Sequence, residues 1–139
     1  MTNHLEITAE VIIHATEDRK KILDSIFELF EIKEEFTEEI LVGHFGNPIV
    51  LLKTKIIKKK AQELIHKLVS KILKVQMNEF FDNIDMYFEG SSLFLRISKQ
   101  DLIRKTINIQ QNDAIKFRIS MPVYKKSDLI KTYMELLKS

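Results

Sequence analysis

Two histidines stand in short polar segments whose residue types could do chemistry. His14 opens the segment His-Ala-Thr-Glu-Asp, called here the HATED segment, and His44 lies in Gly-His-Phe-Gly-Asn-Pro, the GHFGNP segment. Two imidazoles and a nearby acid such as Asp18 are the minimum for a metal site or an acid–base pair. If the chain returns parallel after a strand and a helix, both segments lie at one edge of the sheet. The pattern therefore keeps a metal-dependent hydrolase that uses His14 and His44 open as a hypothesis.

A structural role for these residues is the more ordinary interpretation. The sequence has no HxH, HExxH or recognisable Ser-His-Asp pattern, and turn residues of these types commonly hydrogen-bond the backbone. Three glycines in all cannot form a phosphate-cradling loop, and the absence of cysteine excludes thiolate chemistry. We expect no catalytic residue, no metal and no cofactor. The residues whose role stays open, between structure and RNA contact, are His14, Thr16, Asp18, His44 and Asn47.

Charge is divided unevenly along the chain. Residues 1–52 contain four Lys/Arg and eleven Asp/Glu, a net charge of −7, whereas residues 53–139 have a net charge of +9. Such a separation favours a surface that attracts polyanions. The alternative is a general lysine bias that scatters Lys over solvated faces without a binding role.

The later strands alternate in a way that would gather cations on one face. Apolar residues of these strands alternate with charged ones. If the apolar residues face the helices, the charged residues and one phenylalanine lie together on the opposite face of the sheet. Cations neutralise phosphates, and an aromatic ring can stack on an unpaired base. Alternatively, the phenylalanine is buried and the cations are only solvated. The predicted RNA-binding residues are Lys53, Lys55, Lys58, Lys59, Lys60, Phe94, Arg96, Lys116, Arg118, Lys125 and Lys126.

Hydrophobic periodicity supplies the elements that must position these residues. A strand over 5–14 leads to a helix that starts with Thr16 as its cap and ends near Phe30. A hairpin over 36–57 precedes a lysine-edged helix over 58–74. The remaining predicted elements are a short helix at 77–84, strands at 86–89, 93–98 and 114–124, a helical turn at 100–105 and a closing helix at 126–138. This order predicts an α+β fold, a mostly antiparallel sheet with helices on one face, in a single domain over residues 1–139.

The two polar segments also carry a resemblance. HATED and GHFGNPI, together with the chain length and the closing basic strand and helix, resemble an archaeal family of small RNA-binding proteins described as predicted exosome-associated. The resemblance covers essentially the whole chain. It implies an α+β fold similar to some ribosomal proteins, RNA binding, and a dimer in at least some members. It carries over no catalytic residues.

Three functional hypotheses follow. The first is a non-catalytic RNA-binding protein that contacts structured or single-stranded RNA, with a link to RNA processing or the exosome. The second is a protein-interaction or dimerisation subunit of an RNA-processing assembly, in which the acidic third of one chain faces the basic part of another. The third is the hydrolase. The sequence shows no signal peptide and no membrane-spanning stretch, so we expect a cytoplasmic protein without a membrane partner.

Overall fold

The computed structural model describes residues 4–43 and 45–138. Its centre is a six-stranded sheet in the order β2-β3-β1-β6-β5-β4, in which every neighbouring pair is antiparallel. The strands are β1 (Glu6–His14), β2 (Thr37–Val42), β3 (Pro48–Ile57), β4 (Phe88–Glu89), β5 (Ser92–Ser98) and β6 (Ala114–Ser120). The predicted α+β class and antiparallel sheet are confirmed.

The described residues form five α-helices, of which four lie between strands and the last follows β6. They are α1 (Arg19–Phe30), α2 (Lys58–Lys71), α3 (Lys74–Asp82), α4 (Lys99–Ile103) and α5 (Leu129–Lys138), with 3₁₀ turns at Ile84–Tyr87 and Lys126–Asp128. Within the described part of the chain, no helix is both long and apolar enough to cross a membrane.

One face of the sheet is the core and the other is open. On β1, Ile7, Ala9 and Val11 are buried, while Thr8 and Glu10 alternate with them on the opposite face. The same alternation continues in β6, where the Phe117 ring meets the Phe30 ring of α1 edge-on at 5.7 Å. The helices therefore cover one face, and the charged strand residues remain on the other.

The start of α1 differs from the prediction that Thr16 would cap it. Asp18 is the N-cap, and its carboxylate accepts a hydrogen bond from the backbone N–H of Lys21 at 3.1 Å. A carboxylate also suits this position because the helix N-terminus carries partial positive charge. No hydrogen bond of the Thr16 side chain is present among the described residues.

Three other sequence predictions were wrong in detail. The lysine-edged helix stops at Lys71, since Ile72 is extended, and a separate helix begins at Lys74. Phe27 of α1 and Ile130 of α5 stand at the spacing of the apolar stripes of their helices, which predicts that both face inward, but both are exposed. Periodicity identifies an apolar stripe, but how much of its width is covered depends on the neighbouring elements.

The turn of the β2–β3 hairpin has glycine where the backbone requires it. Gly46 has φ of +80°, and a Cβ on Gly43 would lie 2.9 Å from the Ile49 side chain. The Gly43 N–H donates to the Asn47 carbonyl at 2.7 Å, so Asn47 serves this turn through its backbone. His44 lies outside the described residues. Steric limits, and not catalysis, account for the two glycines of the GHFGNP segment.

Tyr133 joins α5 to the sheet from inside the core. Its hydroxyl donates to the Ser91 carbonyl at 2.7 Å and accepts from the Met121 N–H at 3.1 Å. Burial raises the pKa of this phenol above its usual value. The hydroxyl is therefore neutral and bonded, as a buried tyrosine must be.

Candidate nucleic-acid interface

Two rows of side chains cross the open face where the strands pair. The strand register places Glu10 beside Lys53 and Lys116, and Lys116 beside Arg96. One pleat along, Thr8 lies between Lys55 and Arg118, and Arg118 pairs with Phe94. The five strand cations predicted from alternation therefore lie on one surface, together with Phe94.

Phe94 is the centre of a cationic cluster formed with Arg96, Lys116 and Arg118. The guanidinium carbons of Arg96 and Arg118 lie 5.2 and 6.0 Å from the ring centroid, and Lys116 Nζ lies 5.5 Å from it. These are cation–π distances. The ring is only 6% exposed, so it holds the three cations in place and does not offer a free stacking surface.

Acidic residues interrupt and border the positive area of the face. Glu10 lies 3.6 Å from Lys116, and Glu6 lies 3.8 Å from Lys55. A groove of about 820 Å³ runs over the face, and the acids of its lining are Glu10, Glu34, Glu35 and Glu89. Lys116 and Lys55 are therefore partly neutralised, and Arg96 and Arg118 have no ion pair among the described residues.

The remaining predicted lysines lie beyond one end of the sheet. Both β3 and β6 are antiparallel to β1, so their last residues meet at its first residue, Glu6. The segments that follow those ends carry Lys58, Lys59 and Lys60 at the start of α2, and Lys125 and Lys126 before α5; all five are exposed. They extend the basic area past the sheet but do not line the groove.

Glu17 of the HATED segment is bonded to a buried lysine. Lys99, at the start of α4, is 1% exposed. Its ammonium donates to Glu17 Oε1 at 2.8 Å and to the Ile12 carbonyl at 2.6 Å, and pairs with Asp113 Oδ1 at 2.9 Å. Three N–H donors thus meet three acceptors, which is the condition under which a charged amine is tolerated in a core.

The same carboxylate binds two further donors. Glu17 accepts from the His14 backbone N–H at 2.8 Å and from the Gln100 amide at 2.7 Å. Asp18 caps α1, and Glu17 links β1 to α4. The two acids of the HATED segment thus form a structural joint between β1, α1 and α4.

A group with metal-ligand chemistry occurs at this joint. His14, Glu17 and Asp113 each offer a ligand atom, and these atoms lie within 4.8 Å of one another. However, the Lys99 ammonium already lies between the two carboxylates and neutralises them. A metal ion would have to displace the Lys99 ammonium, which is buried and fully hydrogen-bonded. We therefore interpret the group of His14, Glu17 and Asp113 as part of a buried salt bridge.

His14 nevertheless borders the open face. It pairs in register with Ile49, which follows the hairpin turn. The start of the HATED segment and the end of the GHFGNP segment therefore lie at the same end of the strands. A smaller concavity continues from the groove, sharing Glu10 and Lys116 with it, and reaches His14, Gln111 and Asn112. The imidazole is exposed and therefore accessible to a ligand on that face.

Lys99 is the residue that the sequence analysis missed. The sequence does contain an indication of its burial. Lys99 continues the every-second-residue pattern of Leu93, Leu95 and Ile97, which are the inward-facing residues of β5. This alternation indicates that the Lys99 side chain points inward. The acceptors of its ammonium group, however, lie 82 and 87 positions away in the chain, at Glu17 and Ile12. No local pattern identifies such partners.

Solved structures share this architecture. Protein AF2318 from Archaeoglobus fulgidus superposes with a TM-score of 0.84 at 24% identity, covering 94% of this chain and 97% of that one. Protein SSO0741 from Sulfolobus solfataricus gives a TM-score of 0.78 at 25% identity, covering 96% and 97%. These similarities show that the fold recurs in archaeal proteins over nearly the whole chain.

Sequence comparison adds a named relative and a family. RNA-binding protein PAB1135 from Pyrococcus abyssi is 28% identical over an alignment of 144 positions, gaps included, covering 94% of this chain and 92% of that protein. A protein-family model described as RNA binding matches residues 6–121, which include β1 to β6 and the whole cationic cluster. The chain therefore belongs to this RNA-binding family.

Proposed function

We propose that the chain is a non-catalytic protein that binds RNA on the open face of its sheet, with the cationic cluster of Arg96, Lys116 and Arg118 as the main phosphate contact. The observation that carries this proposal is the cluster itself. Three cations lie within 6.0 Å of the Phe94 ring centroid, on a face whose groove is lined by strand residues and by Glu34 and Glu35. A preorganised cluster loses less side-chain entropy on binding than scattered surface lysines do.

The geometry favours irregular or single-stranded RNA over a long duplex. The acidic lining of the groove, on both sides of the cluster, would repel phosphates that extend across the whole face. A flexible strand can follow the cations from the cluster towards Lys53 and Lys55, or past the end of the sheet towards Lys125 and Lys126. A regular helix, whose backbone is rigid, cannot avoid the acids in the same way.

Salt dependence tests this proposal directly. The three phosphate contacts of the cationic cluster alone give a slope of log K against log salt of about −2 on single-stranded RNA, so affinity falls at least about 25-fold between about 50 and 250 mM KCl. Fluorescence anisotropy with a labelled single-stranded RNA and a labelled duplex of equal length measures the slope for each. A flat salt dependence, or no binding to either RNA, contradicts the proposal.

A second proposal concerns protein contacts, because the second half of the edge strand β2, Ile40 to Val42, is apolar and exposed. All six of its residues are exposed, with Ile40 at 70% and Val42 at 79%, and its outer edge is not paired with any described strand. Exposed apolar edges pair readily with another chain. We propose that a second copy of this chain pairs with the free edge of β2. We also propose that the protein acts in the cytoplasm as part of an RNA-processing assembly. That this assembly is the exosome is what the family resemblance implies.

Light scattering at low and high salt separates two forms of that dimer. A dimer held by the acidic and basic regions dissociates as salt screens the charges, whereas a dimer held by β2 persists. We expect persistence in high salt, and dissociation of the Ile40→Lys variant. A monomer under both conditions at high protein concentration contradicts this proposal and leaves RNA binding untouched.

A further inference from the structure

Tyr124 is a large aromatic residue that the fold leaves in solvent. Its side chain is 95% exposed, and no ring contact or hydrogen bond of this side chain is present in the described part of the chain. Tyrosine is commonly at least half-buried, because its ring gains from burial while its hydroxyl stays wet. The Tyr124 ring therefore gains little from burial in this fold.

The chain places this ring next to cations. Lys125 and Lys126 follow it directly, and both are exposed. Tyr124 comes four residues after Ser120, the last residue of β6, so its Cα lies within about 14 Å of the strand end. Arg118 is two residues before that end, about 7 Å along the strand. Arg118 of the cationic cluster, the Tyr124 ring and the two lysines thus succeed one another along one short stretch of chain.

Base recognition in single-stranded RNA usually needs an accessible aromatic face. Phe94 was predicted to supply it, but three cations cover that ring. We propose that Tyr124 is the base-stacking residue, and that the ligand is RNA with at least one unpaired base, bound with its phosphates on the cationic cluster and on Lys125 and Lys126. This proposal rests on the proposed RNA binding and specifies its substrate class.

A substitution series on the full chain tests the stacking role. Tyr124→Ala should weaken binding to a single-stranded RNA by about five- to 150-fold, and Tyr124→Phe should bind like the wild type, since stacking needs only the ring. Binding to a blunt RNA duplex should not change, because paired bases have no free face. The salt slope should stay at the wild-type value in both variants, because no phosphate contact is removed.

A fluorescent probe reports the contact independently. The chain has no tryptophan, so Tyr124→Trp introduces a single one, and stacking on a base should quench its emission when single-stranded RNA is added. Val75→Trp is the matched control, since Val75 is 70% exposed on α3 and does not line the groove of the open face. Its emission should not respond.

The outcomes separate the two proposals. If the wild type binds no RNA, the proposed function fails. If the wild type binds single-stranded RNA with a salt slope but Tyr124→Ala binds equally well, or both tryptophans respond alike, only the stacking role is overturned.

Discussion

Replacing Arg96, Lys116 and Arg118 together by Gln weakens binding to single-stranded RNA about a hundredfold at about 0.1 M salt and reduces the salt slope by about 2. The reason is the release of counterions: each phosphate contact contributes about 0.7 to the slope on a single strand, and three contacts are lost. The three residues act as one unit because each lies within 6.0 Å of the same ring. Anisotropy titrations at several salt concentrations measure both quantities.

A control of equal charge distinguishes a site from a net-charge effect. Lys71, Lys74 and Lys131 are exposed residues of α2, α3 and α5 that do not line the groove of the open face, and their replacement by Gln removes the same charge. This control should bind RNA with nearly the wild-type slope. Equal losses in both triple variants would show that RNA senses only the net charge. Removing the cations of the cluster uncovers the Phe94 ring. Thermal unfolding of both triple variants therefore checks that neither set of substitutions has perturbed the fold.

Lys99→Ala destabilises the protein by about 3–5 kcal/mol, because breaking one side of a buried ion pair leaves the other side uncompensated. Glu17 has 12% of its side chain exposed and loses its closest cation, and the Ile12 carbonyl loses its 2.6 Å partner. Asp113 is 41% exposed and is resolvated by water. A loss of this size is a large part of the total stability of a small domain, so urea unfolding followed by circular dichroism should show a clear decrease in midpoint.

A surface pair in the same region supplies the comparison. Lys105 Nζ binds Glu28 at 2.6 Å, with side chains 46% and 63% exposed, and Lys105→Met should cost less than about 1 kcal/mol. Adding Glu17→Gln to Lys99→Met should restore part of the stability lost by Lys99→Met alone, since the unpaired charge is then gone. Additive effects of the two substitutions would contradict the proposed coupling between Lys99 and Glu17.

The sequence predicted much of the open face because it depends on a local rule. Side chains alternate along a strand whatever the sheet contains, so Lys116 and Arg118 had to share a face, as did Lys53 and Lys55. The same rule placed Phe94 on that face. It could not show that the ring would be covered, because the covering cations come from two strands and meet only in the folded sheet.

The polar segments were less predictable. Thr16 and Asp18 both have side chains that cap helices, and only the backbone angles at Asp18 decide between them. The acids of the HATED segment suggested a metal or acid–base site, yet Glu17 is bonded to Lys99, far along the chain, and Asp18 caps α1. His44 of the hydrolase hypothesis lies outside the described residues, so a role for it remains a prediction.

By itself, then, the sequence determined the element types, the antiparallel α+β class and the grouping of cations on one face of the sheet, because periodicity and alternation act over a few residues. The tertiary structure decided the strand order, the acids that border the positive area, the burial of Phe94 and the position of Lys99 between Glu17 and Asp113. Each of these depends on contacts between residues distant in sequence. Such contacts form only when the chain folds, so no local pattern contains them.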